Sequence, residues 1–222
     1  MAKARDALIA GATGLIGREL LSLLLADPIY AKVIVIGRRA PEMPHPKLVV
    51  VMVDFDSLPD GKHFPHVDDV FCCLGTTIRK AGSQDVFRKV DYTYVVELAK
   101  RAKTAGAKRF MVISAIGANL HSKMFYSRTK GEMERAVSSA GFNGVVIFRP
   151  SFLLGDREET RLAEKIGIAA FRLLSPGLIG GLRKYRAVNA KTVARAMLQS
   201  AHKTETGVIV LESDEIEHVG SA

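Results

Sequence analysis

The sequence predicts an α/β protein in which a doubly wound, mostly parallel sheet is covered by helices on both faces. Short apolar runs of strand length recur along the chain, and segments with helical spacing separate them. An apolar run without polar alternation is typical of a strand covered on both faces, and a helix between two strands indicates a parallel crossover. The length of 222 residues fits one domain, over residues 1–222, with a sizeable core.

The individual elements follow from this alternation of apolar runs and helical spacing. Strands are expected over residues 7–10, 33–36, 48–53, 69–74, 109–114, 144–148 and 208–211. The first helix follows Gly14 and ends before Asp27-Pro28. Further helices are expected over 84–105, 125–140, 161–174 and 190–202, with a turn over 176–181 and a polar tail after residue 211. In the long helix 84–105, the expected inward side chains are Val86, Val90, Val95 and Leu98.

A glycine-rich turn, Gly11-x-x-Gly14-x-x-Gly17, joins the first strand to the first helix. Glycine permits a positive φ and lets the backbone approach a ligand closely. The first amides of the helix are unpaired and lie at the positive end of its dipole, so they favour a phosphate. At the first strand of an α/β chain, this motif predicts a dinucleotide site. The residues expected to contact the dinucleotide here are Gly11, Thr13, Gly14, Leu15, Ile16 and Gly17.

Polar or glycine residues also follow the later strands, and the carboxyl ends of parallel strands meet in one crevice. Arg38 and Arg39 stand where a carboxylate would hold the ribose 2′-hydroxyl of NAD, and arginine there instead suits a 2′-phosphate. We therefore expect NADP(H) rather than NAD(H). The other cofactor contacts expected at strand ends are Asp54, Phe55, Leu74, Gly75, Thr76, Pro150 and Phe152.

Three further residues fit carbonyl chemistry beside that crevice. Tyr126 and Lys130 are four residues apart, so they lie on one face of the predicted helix. A nearby ammonium stabilises a phenolate and is expected to lower the pKa of Tyr126, which would make it a usable acid or base. Ser114 ends the fifth strand and could polarise a carbonyl oxygen.

Together these residues resemble the short-chain dehydrogenase/reductase superfamily, whose fold is the NAD(P)-binding Rossmann fold. The glycine motif is similar to that of the extended or atypical branch. More narrowly, the chain resembles small atypical members related to the Tat-interacting tumour-suppressor oxidoreductase. The matching stretches are 11–17, 90–92, 114–118, 125–132 and 148–155.

The resemblance implies NADP(H) binding and hydride transfer to or from a small carbonyl or hydroxyl compound. It makes Tyr126 the proton donor and has Lys130 hold the nicotinamide ribose, so that both also contact the cofactor. Ser114 would orient the substrate, and residues 152–206 would form a substrate-side lobe. It also implies a homodimer through the long helices.

Two departures from the family pattern leave a second interpretation open. The family pattern has two serines after the fifth strand, whereas this chain has Ser114-Ala115 there. Asp91 stands where the family pattern has an asparagine in the long helix. The region that holds sugar nucleotides in extended members is also short. The alternative is therefore a non-catalytic NADPH-binding regulator or scaffold that acts through a protein partner.

The net charge and the cysteine content limit the remaining classes of function. The net charge is +9, but the basic residues are spread along the chain, so nucleic-acid binding is the weaker interpretation. No apolar run is long enough to span a bilayer. Cys72 and Cys73 are adjacent and unsuited to staple the fold, which favours a reducing compartment and a cytoplasmic location. No spacing indicates a metal site; His63 and His66 are expected to be loop histidines.

Overall fold

The computed structural model describes residues 4–60, 62–154, 180–203 and 206–221. Within them, seven strands form one sheet and two short strands form a separate ladder. In chain order they are β1 (Arg5–Ala10), β2 (Tyr30–Gly37), β3 (Leu48–Met52), β4 (Asp69–Cys72), β5 (Arg109–Ile113), β6 (Gly144–Arg149), β7 (Leu153–Leu154), β8 (Val188–Asn189) and β9 (Gly207–Glu212). The order in the large sheet is β3-β2-β1-β4-β5-β6-β9. Every pairing in it is parallel, so the predicted fold class is confirmed.

Helices connect these strands and cover both faces of the sheet. They are α1 (Leu15–Ala26), α2 (Ile78–Ala81), α3 (Gln84–Arg88), α4 (Tyr94–Thr104), α5 (Phe125–Ser138), α6 (Ala190–His202) and α7 (Ser213–Ser221). A π-turn over Lys89–Thr93 joins α3 to α4, and 3₁₀ turns occupy Phe55–Ser57 and Gly180–Tyr185.

The two faces of β1 show how the core divides into two layers. Ala7 and Ile9 face a layer made with α1, α6 and α7, whereas Leu8 and Ala10 face a layer made with α4 and α5. All four side chains are fully buried. A strand buried on both faces needs the continuous apolar run seen in the sequence.

A buried polar network lies at the amino end of β4. Asp69 is fully buried and accepts two hydrogen bonds from Arg109, including one of 2.7 Å from Nη2 to Oδ2. The hydroxyl of Tyr30 donates to the same carboxylate at 2.8 Å. Burial and the neighbouring carboxylate raise the pKa of Tyr30 far above its ordinary value. This network ties β2, β4 and β5 together at the edge opposite the crevice.

Two expectations about helices were wrong. The long helix 84–105 is interrupted by the π-turn, whose extra residue changes the inward phase. Val95 and Leu98 are buried as expected and Val90 is half-buried, but Val86 is exposed and its neighbour Phe87 is buried instead. The expected polar tail is the helix α7. The helix expected over 161–174 and most of the turn 176–181 lie outside the described residues.

Candidate cofactor and active site

The crevice lies where the sheet changes direction. From β1 the chain runs outward through β2 and β3, and it then returns to β4 on the other side of β1. Two neighbouring strands whose connections leave in opposite directions create an opening at their carboxyl ends, where ligands bind in folds of this kind. Gly11 follows β1 at this opening, and Cys73 follows β4 beside it.

The glycine turn is shaped so that a ligand can approach its backbone. Gly11 has a φ of +83°, and a Cβ on it would lie 2.6 Å from the carbonyl oxygen of Cys73. A Cβ on Gly17 would lie 2.0 Å from the carbonyl oxygen of Gly11. Gly14 is the N-cap of α1, and no side chain caps the helix there. The amides at this helix start are therefore available to an anion, as the sequence predicts.

The other residues of the turn divide between core and crevice. Ile16 is buried in the core, so it can contribute its amide but not its side chain. Leu15 packs partly on the same core, and Thr13 is half-buried.

The adenosine end of the predicted site has two exposed arginines. Arg38 and Arg39 directly follow β2 and are both exposed. Asp54 follows β3 and caps the next turn by accepting the amide of Asp56 at 3.0 Å. Phe55 is buried and packs on the ring of Tyr94, with centroids 5.4 Å apart. Phe55 can therefore offer its backbone here, whereas its side chain belongs to the core.

The remaining predicted contacts lie after β4 and β6. Leu74 packs partly on the core, Gly75 is exposed, and Thr76 is half-buried. Pro150 is buried, and its carbonyl oxygen accepts the amide of Ile116 at 3.0 Å. Phe152 is 64% exposed and accepts the amide of Val188 on its carbonyl oxygen.

Ser114 is placed at the end of β5 with its hydroxyl unused. Its amide donates to the carbonyl of Phe148 at 2.7 Å, which fixes the residue beside β6. The side chain is 5% exposed, and Oγ has no hydrogen-bond partner within the described ranges. A buried hydroxyl without a partner costs about 1–3 kcal/mol, so such groups are rare unless a ligand completes them.

Tyr126 lies in the first turn of α5 against an aromatic wall. Its ring packs on that of Phe87 with centroids 5.3 Å apart, and Phe87 also contacts Phe125. The loop before α5 is held close to the helix, since Asn119 donates its amide to the carbonyl of Ser127 at 3.0 Å. The phenol is therefore supported by packing on the side away from solvent.

Lys130 has a partner that the sequence did not predict. It is 4% exposed, and its Nζ lies 2.7 Å from Oδ1 of Asp91, which is itself 1% exposed. The second oxygen, Oδ2, accepts the amide of Thr76 at 2.8 Å. One carboxylate in the π-turn thus connects the predicted catalytic lysine to the predicted cofactor loop after β4.

The pKa expectation for Tyr126 was wrong in direction. Burial raises the pKa of Tyr126 above its ordinary 10.0, the ammonium of Lys130 lowers it, and the carboxylate of Asp91 raises it again. That expectation rested on Lys130 alone. Asp91 was recognised as a departure from the family pattern, but its contact with Lys130 joins the π-turn to α5, which lie far apart in the sequence.

These residues fit a nicotinamide dinucleotide. Gly14 at the start of α1 is exposed, the first helix has no capping side chain, and Ser114 Oγ has no hydrogen-bond partner among the described residues. The first two features suit a pyrophosphate and the third suits a polar substrate atom. No helix in the described part of the chain is both long and apolar enough to cross a membrane.

Comparison with known proteins agrees with this site. Residues 11–204 match the model of a family described as NAD(P)H-binding. The chain therefore belongs to this NAD(P)H-binding family. Among its relatives, protein HTATIP2 of Rattus norvegicus is 37% identical over 221 residues, which cover 97% of this chain and 89% of the rat protein. The mitochondrial protein fmp52 of Aspergillus fumigatus is 35% identical over 225 residues, covering 96% of this chain and 94% of that one.

Solved structures confirm the fold. MoeE5 in complex with UDP-glucuronic acid and NAD has a TM-score of 0.70 at 20% identity, covering 93% of this chain and 75% of that chain. The human epimerase family protein SDR39U1 with NADPH has a TM-score of 0.59 at 19% identity, covering 96% of this chain and 77% of that one. The family match confirms the predicted class of cofactor, a nicotinamide dinucleotide.

Proposed function

We propose that this protein is an NADP(H)-dependent oxidoreductase of the short-chain dehydrogenase/reductase type. It would move a hydride to or from a small carbonyl or hydroxyl compound. The observation that carries the proposal is the hydroxyl of Ser114, which has no hydrogen-bond partner within the described residues and is buried at the strand ends that also carry the glycine turn. A hydroxyl in that position can donate to a substrate oxygen as negative charge develops on it.

The residues of this chain would then divide the work as follows. When bound, the nicotinamide supplies the hydride for reduction or accepts it for oxidation. In reduction, the Tyr126 hydroxyl gives its proton to the substrate oxygen while the hydride reaches the carbonyl carbon, so a carbonyl becomes a hydroxyl. Tyr126 then regains a proton from solvent. The phenol is protonated at neutral pH, as a tyrosine of ordinary pKa also is, so it carries the proton that this step needs.

The binding residues are assigned by the same geometry. The amides at the start of α1 would hold the pyrophosphate, and Arg38 and Arg39 would hold the 2′-phosphate. Lys130 would hold the nicotinamide ribose from the neighbouring helix. The exposed ring of Phe152 comes shortly after Pro150, and we propose that it lies beside the nicotinamide.

Replacement of Tyr126 by phenylalanine tests the acid role. Tyr126→Phe should lower NADPH oxidation with a turned-over carbonyl compound by at least about a hundredfold, because a positioned acid contributes roughly 10²–10⁴. Its NADPH affinity should stay within about twofold. Tyr92→Phe, another partly buried tyrosine on the same side of the sheet, is the control and should keep full activity. An unchanged rate in Tyr126→Phe would reject the assignment.

A calorimetric titration tests the cofactor preference. Changing Arg38 and Arg39 together to alanine should weaken NADPH binding by about 10- to 100-fold, because a charge-assisted hydrogen bond contributes roughly 1.5–3 kcal/mol. NADH binding should change little. Lys32→Ala removes an exposed charge from the other end of the same strand and serves as the control. Equal losses for both cofactors would contradict a 2′-phosphate site.

The second candidate function is a non-catalytic NADPH-binding regulator. The ion pair of Lys130 with Asp91 favours it, since the lysine is occupied and the phenol of Tyr126 is a weaker acid than the resemblance implies. This candidate predicts tight NADPH binding and a protein partner whose affinity depends on NADPH. It also predicts no NADPH oxidation across a panel of aldehydes and ketones, and sustained turnover of any of them would exclude it.

The cellular setting remains part of the proposal. We propose a cytoplasmic protein, supported by two thiols that are both unbonded. The fungal relatives are named mitochondrial, so imaging of the tagged full chain in its source cells decides between the compartments. We also propose a homodimer through the long helices, which sedimentation velocity tests directly.

A further inference from the structure

The carboxylate of Asp91 contacts two parts of the site that lie on different elements. It sits in the π-turn with 1% of its surface exposed. One oxygen is 2.7 Å from the Lys130 ammonium on α5, and the other accepts the amide of Thr76 after β4. A Cβ on Gly75 would lie 3.4 Å from Asp91 Oδ1, so the cofactor loop packs directly on this carboxylate.

Asp91 lies on the buried side of the π-turn. It follows Phe87 by four residues, slightly more than one helical turn, so both side chains are on the buried face. The π-turn inserts an extra residue before α4 resumes with Val95 and Leu98 inward. Helix segments of this kind are frequent at functional sites. The start of the turn is also anchored, because Lys89 binds the carboxylate of Asp56 at 2.7 Å and Tyr94 donates to it at 3.0 Å.

We propose that Asp91 is a positioning residue that holds the Lys130 ammonium and the cofactor loop on one carboxylate, and thereby controls how strongly Lys130 acts on the Tyr126 phenol. This inference deepens the proposed function and rests on its assignment of Tyr126 and Lys130. A neutral amide at position 91 would leave the lysine charge uncompensated toward the phenol. The aspartate instead balances that charge, so that the phenol keeps a pKa above its ordinary value.

Among the described residues, two charged groups influence the pKa of Tyr126: Lys130 lowers it and Asp91 raises it. Two carboxylates of α5 form ion pairs of their own, Glu132 with Arg88 and Glu134 with Arg149 at 2.9 and 2.6 Å. On α4, Glu97 pairs with Lys100 and Arg101, and the ammonium of Lys103 lies over the ring of Phe142.

The charges of Lys130 and Asp91 also affect the pKa of the Cys72 thiol at the end of β4, the first lowering it and the second raising it. Its own pKa is raised to about 12, chiefly by burial. It therefore carries no charge near neutral pH.

Ultraviolet titration of the cofactor-free protein tests the proposal without any turnover. The tyrosinate signal of Tyr126 is obtained by subtracting the titration of Tyr126→Phe. In the wild type its midpoint should lie above 10.0, the ordinary value. In Asp91→Asn the midpoint should fall by about one pH unit, because a nearby opposite charge shifts a pKa by roughly 1–3 units. A wild-type midpoint below 10.0, or an unmoved midpoint in Asp91→Asn, would overturn the proposal.

A second pair of measurements separates the lysine role from the loop role. In the double variant Asp91→Asn/Lys130→Met, the downward shift should disappear, since it acts through the ammonium; persistence of the full shift would overturn that role. Exchange of the Thr76 amide, followed by NMR, should stay slow in Asp91→Asn, which keeps an acceptor oxygen, and become faster in Asp91→Ala. Equal protection in Asp91→Ala would overturn the loop role.

These outcomes are independent of the proposed function. If the protein binds no NADPH, the oxidoreductase assignment fails while the tyrosinate and amide measurements still decide the role of Asp91. Melting curves confirm that each variant is folded. The titration of Asp91→Asn does not depend on Asp91→Ala, so the proposal stays testable even where Asp91→Ala does not fold.

Discussion

A Cβ atom on Gly17 would lie 2.0 Å from the carbonyl oxygen of Gly11, so the first helix rests directly on the turn that precedes it. The contact fixes where the amides of α1 point. It also makes the helix start sensitive to a single methyl group, because the obstructing atom belongs to the backbone.

Gly17→Ala should therefore lower both stability and NADPH affinity. Overpacking of this kind costs about 1–3 kcal/mol or more, and relief requires α1 to move away from the turn. Chemical denaturation and calorimetry measure the two effects. Gly37→Ala is the control for stability, because the nearest atom to its Cβ is 3.8 Å away. A Gly17→Ala protein with wild-type stability would contradict this account of the turn.

Two buried serines should respond in opposite ways to replacement by alanine. Ser114→Ala removes a hydroxyl with no partner in the described part of the chain, so stability should be unchanged or slightly higher. Ser213→Ala removes the acceptor of the Ser151 amide, at 2.9 Å, and should lose about 1–3 kcal/mol. Thermal melting compares them. A large loss in Ser114→Ala would show that its hydroxyl is used within the protein.

The carboxylate of Asp69 is expected to be essential for stability. Asp69→Asn removes the counter-charge of the Arg109 guanidinium, whose side chain is 12% exposed, and breaking a largely buried pair in this way typically costs about 3–5 kcal/mol. Glu97→Gln removes one partner of the more exposed pair with Lys100 and should leave the denaturation midpoint unchanged. If both variants unfold at the same denaturant concentration, the network at the amino edge of the sheet contributes less than its geometry indicates.

The thiol of Cys72 is expected to resist alkylation in the native protein. Burial raises its pKa to about 12 from 9.0, so at pH 8 its thiolate fraction is about a thousandfold below that of an ordinary cysteine. Labelling should increase roughly tenfold per pH unit up to about pH 12, since only the thiolate reacts. Mass spectrometry after iodoacetamide treatment measures this, with the guanidinium-unfolded protein as control. Rapid native labelling of Cys72 at pH 8 would contradict its burial.

The sequence was sufficient for features that depend on local patterns. The strand over residues 33–36 was recognisable because its continuous apolar run is visible in the sequence, and the glycine turn was recognisable from the spacing of its glycines. The helix Ala190–His202 was predicted with the observed bounds. Its amphipathic spacing agrees with its position between the sheet and solvent.

Features that depend on distant contacts were missed. The helix Ser213–Ser221 has few apolar residues, and it packs through Ile216 and through Gly220, whose Cβ would meet the Thr192 carbonyl oxygen at 2.3 Å. The pKa of Tyr126 depends on Asp91, which comes close to it only when the segment 89–93 packs against α5. Neither contact leaves a periodic signal in the sequence.

The first helix, α1, is covered by helices from the carboxyl-terminal part of the chain. Leu20 and Leu24 of α1 share one core layer with Val193 and Met197 of α6. During synthesis roughly 170 residues separate these partners, so at about 5–20 residues per second the apolar side of α1 waits on the order of 10–40 s for its cover. The apolar side of α1 is consequently exposed during that interval, and we expect chaperones to bind the first βαβ unit of the nascent chain.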